Sequence, residues 1–161
     1  MANNKLIVGW FSFTCSEDST ILFTELLNDN FDKWRNLVEF RYLKALKTKN
    51  YIKNLDVSFI EGAISSESQA NEAKKIRENS KVVVAIGSCA CTGMPSASRN
   101  SLGSDEINEK MKWYMSHFNY NQKVQKLPDV IKVDDMVNSC PMDKDTFIEI
   151  LEKYLKIFNV V

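Results

Sequence analysis

Short apolar runs alternate along this chain with segments of helical periodicity, and that alternation constrains the fold more than any other feature. Lys5 to Phe13, Leu37 to Leu43, Leu55 to Ile60, Lys81 to Ile86 and Val130 to Val137 read as strands. The first is apolar enough to be buried on both faces, and Lys81 to Ile86 (KVVVAI) is the clearest central strand. Between the first two runs, Thr20 to Phe31 has helical spacing behind Asp18 and Ser19 as candidate caps. Ser66 with Gln69 forms a capping-box pattern ahead of a polar amphipathic helix over Glu67 to Asn79. Gly87 to Ser104 reads as a long loop, of the kind that is usually functional. Asp105 to Phe118 reads as a helix with Ile107, Met111, Trp113, Tyr114 and Met115 as its apolar members. Pro141 suits the first turn of a last helix, whose Phe147, Ile150, Leu151, Tyr154, Leu155 and Phe158 form one face. Strands that alternate with helices predict an α/β fold built on a doubly wound parallel sheet.

The 161 residues are expected to form one domain, residues 1–161, in three α/β/α layers of the flavodoxin-like kind. A chain of this length buries about 70% of the surface its unfolded form exposes, so it needs no disulfide to fold. Lys+Arg and Asp+Glu both number 21, which leaves no electrostatic case for a nucleic-acid partner. A chain of zero net charge also tends to associate, which favours a subunit of something larger. No apolar run approaches the roughly 20 residues of a membrane span. The opening MANNKLIVGW lacks the basic region, long apolar region and cleavage site of a signal peptide. A cytoplasmic, reducing location is therefore expected, where cysteines serve metals or redox chemistry more often than disulfides.

Three of the four cysteines stand where a predicted strand ends. Cys15 closes KLIVGWFSFTC, Cys89 closes KVVVAIGSC, and Cys140 closes VIKVDDMVNSC just before Pro141. In an open parallel sheet the carboxyl ends of the strands share one edge, and ligands bind there. Space-filling cysteines should fall within strands, so three at strand ends point to converging ligands. Cys89 sits among small residues in GSCACTG, and Cys140 is expected just before a helix N-terminus, which would favour its thiolate. Soft thiolates bind zinc or iron–sulfur clusters. Zinc usually takes close pairs such as C-x-x-C, which this chain lacks, and its single histidine, His117, excludes a multi-histidine site. A four-iron cluster wants four ligands, and the residues leave the fourth open between Asp18 and Cys91. Trp10 reads as core.

GWFSFTCSEDS, DVSFIEGAISSES, VVVAIGSCACTGMP and NSCPMDKD occur in an order and spacing that is specific. Through them the chain resembles the small subunit of nickel–iron hydrogenases and the related 20-kDa subunit of NADH:quinone oxidoreductase, from about Leu6 to Leu155. Ser98-Arg99-Asn100 with Leu102-Gly103-Ser104 is further similar to soluble NAD-linked hydrogenase small subunits. The resemblance implies a flavodoxin-like domain that holds one proximal 4Fe-4S cluster and abuts a large subunit bearing the nickel–iron centre. It casts Cys15, Cys89 and Cys140 as three ligands and puts Asp18 where the family has its remaining cysteine. Cys91 falls on a position the family does not use, so Asp18 is preferred as fourth ligand and Cys91 is the alternative. A carboxylate is a harder ligand than thiolate, which makes a 3Fe-4S cluster or a labile fourth iron the fallback. Ser139 stands where the family has glycine before Cys-Pro. Glu61 is similar to the family's Val-Glu-Gly glutamate, beside the cluster and the subunit interface.

The resemblance implies no catalytic residue in this chain: it carries electron transfer for an oxidoreductase whose catalysis lies in the large subunit. The sequence stops at Val161, which reads as the short form with one cluster. Electrons would then leave to a further subunit such as a diaphorase or a ferredoxin-like protein. The alternative is the iron–sulfur subunit of a complex-I-like quinone or ferredoxin oxidoreductase without nickel. That branch has adjacent cysteines in its first motif, whereas Ser16 follows Cys15 here. FMN is not expected, because Glu17 and Asp18 would face its phosphate in the first loop.

Overall fold

The computed structural model describes residues 5–103 and 107–161. Among them, five strands form one parallel sheet: β1 (Leu6–Ser12), β2 (Val38–Leu43), β3 (Leu55–Glu61), β4 (Ser80–Ile86) and β5 (Asp135–Val137), ordered β2-β1-β3-β4-β5. This is the flavodoxin-like order, with its switch point between β1 and β3. All seven residues of β3 are buried, because it lies at the centre of the sheet and both of its faces are covered.

Among the described residues, six α-helices accompany the sheet: α1 (Asp18–Asp29), α2 (Phe31–Leu37), α3 (Glu67–Glu78), α4 (Gly87–Thr92), α5 (Glu109–His117) and α6 (Lys144–Ile157). One face of the sheet presents Val8, Trp10, Phe59 and Ile86 to Phe23 of α1, Trp34 of α2 and Phe147 and Leu151 of α6. Trp10 is core as expected, stacked on Phe23 with ring centroids 4.2 Å apart. Phe147 meets Trp10, Phe23, Trp34 and Phe59 edge-on, an arrangement aromatic rings favour. The other face presents Phe11, Ile60, Val83 and Ala85 to Ala70, Ala73 and Ile76 of α3 and to Ala90 and Cys91 of α4.

Several local expectations are corrected. The first helical segment breaks at Asn30, and α2 follows it. Position Ncap of α1 falls on Glu17, at φ 62° and without a side-chain cap, so neither Asp18 nor Ser19 caps the helix. Ser66 does cap α3 by accepting from Gln69 N, while Gln69 Oε1 reaches back to Ser65 N. The expected loop from Gly87 folds into α4 and a 3-10 helix over Ser96–Ser101, because Gly93 at φ 87° turns the chain out of α4. Helix α5 starts at Glu109 behind Asn108 as its cap, so Ile107 lies outside it, and none of its residues is buried. The last strand is only Asp135–Val137. Helix α6 starts at Lys144 with Asp143 as its cap, and Pro141 lies outside it in a turn. Ser104 and Asp105, part of the loop and helix expectations, lie outside the described residues. No helix among the described residues is long and apolar enough to cross a membrane.

Candidate metal centre

The sheet register lines up the ends of four strands. Ser12 of β1 pairs with Glu61 of β3, Glu61 with Ile86 of β4, and Ile86 with Val137 of β5. Cys15, Cys89 and Cys140 each stand three residues past a member of that line. Strands β1, β4 and β5 thus deliver their thiols to one edge, with Glu61 of β3 set between them. Cys89 is near enough to both of the others to act electrostatically on Cys15 and on Cys140. Asp18 Oδ2 lies 4.0 Å from Cys140 Sγ and accepts from Ser16 Oγ at 2.6 Å.

Cys91 is not part of this group. It is buried under α4 in the core on the sheet's other face, with Sγ directed at the carbonyls of Ala85 and Val137 at 3.6 and 3.7 Å. Residues two apart on a helix do not share a face, so α4 cannot present Cys89 and Cys91 to the same spot.

Glu61 is 4% exposed, so it is no solvated strand end. Its carboxylate supplies the cap that α1 lacks. Oε1 accepts from Ser19 N at 3.0 Å, and Oε2 accepts from Thr20 N at 3.1 Å and Thr20 Oγ1 at 2.6 Å. An anion at the first turn also suits the helix dipole. Thr20 Oγ1 in turn accepts from Trp10 Nε1 at 2.8 Å. Gly62 follows at φ 93°, where a Cβ would stand 2.8 Å from the Phe13 carbonyl carbon. Only glycine lets the end of β1 pass so close, and Thr14 and Ala63 bridge there.

Two serine hydroxyls and one backbone bond tie the thiol loops together. Ser19 Oγ accepts from Met142 N at 3.1 Å, which joins α1 to the loop of Cys140. Ser88 N donates to Ser139 O at 2.8 Å, which joins the loops of Cys89 and Cys140. Ser96 Oγ stands 3.2 Å from both Thr14 O and Cys89 Sγ, between the loops of Cys15 and Cys89. Sequence reasoning missed these contacts; the only signal was the run of serines beside each cysteine. Ser139 adopts φ 89°, a conformation glycine takes without strain, at the position where the resemblance has glycine.

Burial, with the Glu61 carboxylate adding to it, pushes the Cys15 thiol up to about 12. Loss of solvent and the nearby Asp18, Cys89 and Glu61 also raise Cys140. This reverses the expectation of a thiolate favoured by a helix N-terminus, because α6 begins only at Lys144 and the nearest charges are negative. Among the described residues, no three His, Cys, Asp or Glu side chains stand close enough for one metal ion. Soft sulfur donors of this kind are the chemistry that iron–sulfur clusters and zinc take.

Fold and site together define a doubly wound α/β domain with thiols along the carboxyl edge of its sheet. The chain belongs to the family described as NADH ubiquinone oxidoreductase, 20 kDa subunit, whose model matches residues 15–154. It is 29% identical over 135 residues to one subunit of the F420-non-reducing hydrogenase of Methanothermobacter marburgensis, covering 73% of this chain and 43% of that one. It is 25% identical over 111 residues to the delta subunit of the NAD-reducing hydrogenase of Cupriavidus necator, covering 60% and 53%. The chain thus spans about half the length of the curated relatives it matches. A chain in the crystal structure of an NAD+-reducing NiFe hydrogenase in the H2-reduced state superposes with TM-score 0.77 at 17% identity, over 94% of this chain and 92% of that one. At that identity the match shows a shared fold.

Proposed function

We propose that this chain is the electron-transfer small subunit of a cytoplasmic nickel–iron hydrogenase, in which Cys15, Asp18, Cys89 and Cys140 hold one iron–sulfur cluster. The observation that carries the reading is the sheet register, with three thiols each three residues past one line of paired strand ends. The names of the relatives supply the hydrogenase class. A bound cluster would supply one-electron transfer between the large subunit's nickel–iron site and a further redox subunit, diaphorase or ferredoxin-like. Cys15, Cys89 and Cys140 offer soft sulfur donors. Asp18, already beside Cys140, offers a harder oxygen, so a 4Fe-4S cluster here would hold its fourth iron weakly and 3Fe-4S is its degraded form. Glu61 fixes the helix that carries Asp18.

The description of the family model favours one second reading, a complex-I-like oxidoreductase subunit without nickel. Purification of the complex from its host under anaerobic conditions, with metal and sulfide analysis, tests both. The expected result is iron and sulfide on this chain, and nickel on a larger partner that carries two C-x-x-C motifs. Cys89→Ser should lose the iron, and Cys91→Ser should keep it. Iron without nickel would favour the second reading, and a complex free of iron would sink both.

A further inference from the structure

The hydroxyl of Ser96 has one proton and two acceptors at equal distance, Thr14 O and Cys89 Sγ, each 3.2 Å away. Thr14 O does not depend on Ser96, because it already accepts from Ala63 N at 2.9 Å across the bridge between the ends of β1 and β3. The serine proton is therefore free to go to sulfur. A sulfur that has lost its proton to become a ligand carries negative charge, and hydrogen bonds to ionised acceptors are roughly twice as strong as neutral ones. We infer that Ser96 donates a hydrogen bond to the sulfur of Cys89 and thereby sets the reduction potential of the centre.

This rests on the reading of Cys89 as a cluster ligand. Ser96 is held where it stands by the backbone rather than by the sulfur. Gly93 turns the chain, Ala97 N donates to Gly93 O at 2.7 Å, and Ser98 N donates to Pro95 O at 2.9 Å. The donor is thus in place before any electron arrives. An added electron makes the ligand sulfurs more negative, so a fixed O–H dipole stabilises the reduced form more than the oxidised one and raises the potential. Ser96 is a positioning and tuning residue. It transfers nothing itself and contributes no ligand.

The test compares wild type, Ser96→Ala and Ser96→Thr in the anaerobically purified complex, by iron content, EPR-monitored redox titration and pulsed EPR in deuterated buffer. Ser96→Ala should keep its iron, titrate at a more negative midpoint and lose one exchangeable-deuteron coupling. Ser96→Thr keeps the hydroxyl and should restore both the midpoint and the coupling. An unchanged midpoint and coupling in Ser96→Ala, with iron retained, would overturn the role of Ser96 and leave the cluster reading standing. Wild-type complex without iron on this chain would overturn the cluster reading and the inference with it. Loss of iron in Ser96→Ala, restored in Ser96→Thr, would overturn tuning and show that the hydroxyl holds the loop.

Discussion

Glu61 shows how one side chain can matter through what it holds in place. It is the only described partner of the amides of Ser19 and Thr20, two donors that a helix start leaves without intrahelical acceptors. Glu61→Ala should destabilise the metal-free full chain by about 3 kcal/mol, because these charge-assisted bonds are lost and buried donors stay behind. Glu61→Gln, which keeps one carbonyl oxygen, should lose less. Urea unfolding of the three proteins checks this, and equal midpoints would show that the clamp adds nothing. Sequence placed Glu61 at a strand end but not its partners, because Ser19 and Thr20 are more than forty residues away along the chain.

At the scale of elements, β5 is the short one, and its position depends on the residue before it. Asp134 N donates to Val83 O at 2.8 Å, and Asp134 Oδ2 accepts from Val83 N at 2.9 Å, which continues the contact between β4 and β5. Arg77 of α3 reaches the same oxygen at 2.5 Å. Burial pulls the Asp134 carboxyl upward, yet the Val83 amide and Arg77 outweigh it and hold the group below its ordinary 3.8. A carboxyl held down in the folded state adds stability that is fully present above pH about 3.8 and is lost as pH falls through the lower folded-state value. Asp134→Asn should therefore lower the melting temperature at neutral pH, and the gap to wild type should close below pH 3.8. A gap that persists at acid pH would assign the effect to packing. Since β5 carries the chain to Cys140, this ladder also sets where the third thiol emerges.

For the molecule as a whole, the sheet is strongest at its centre and weakest towards β5. Strand β3 is wholly buried and paired on both sides, whereas β5 has three residues and α5 has none buried. Native-state hydrogen exchange should find the slowest amides in β3 and its neighbours β1 and β4, and the fastest helical amides in α5. Uniform protection would contradict this gradient. The line Ser12–Glu61–Ile86–Val137 runs from that centre out to β5, so Cys15 and Cys89 should follow slowly exchanging strands and Cys140 the faster one.

What the sequence by itself determined is the alternation of strand and helix, and with it the parallel sheet and the sharing of one edge by Cys15, Cys89 and Cys140. Both follow from local hydrophobic patterning and from the geometry of parallel strands, which need no knowledge of distant contacts. Only the tertiary structure decided the rest. It turned Cys91 into the opposite core, moved the cap of α1 from Asp18 to Glu61, left the face of α5 outside the core and opened the final helix at Lys144. Each of these depends on which groups meet across the fold, and a buried polar atom takes whatever partner the assembled chain brings within hydrogen-bond reach.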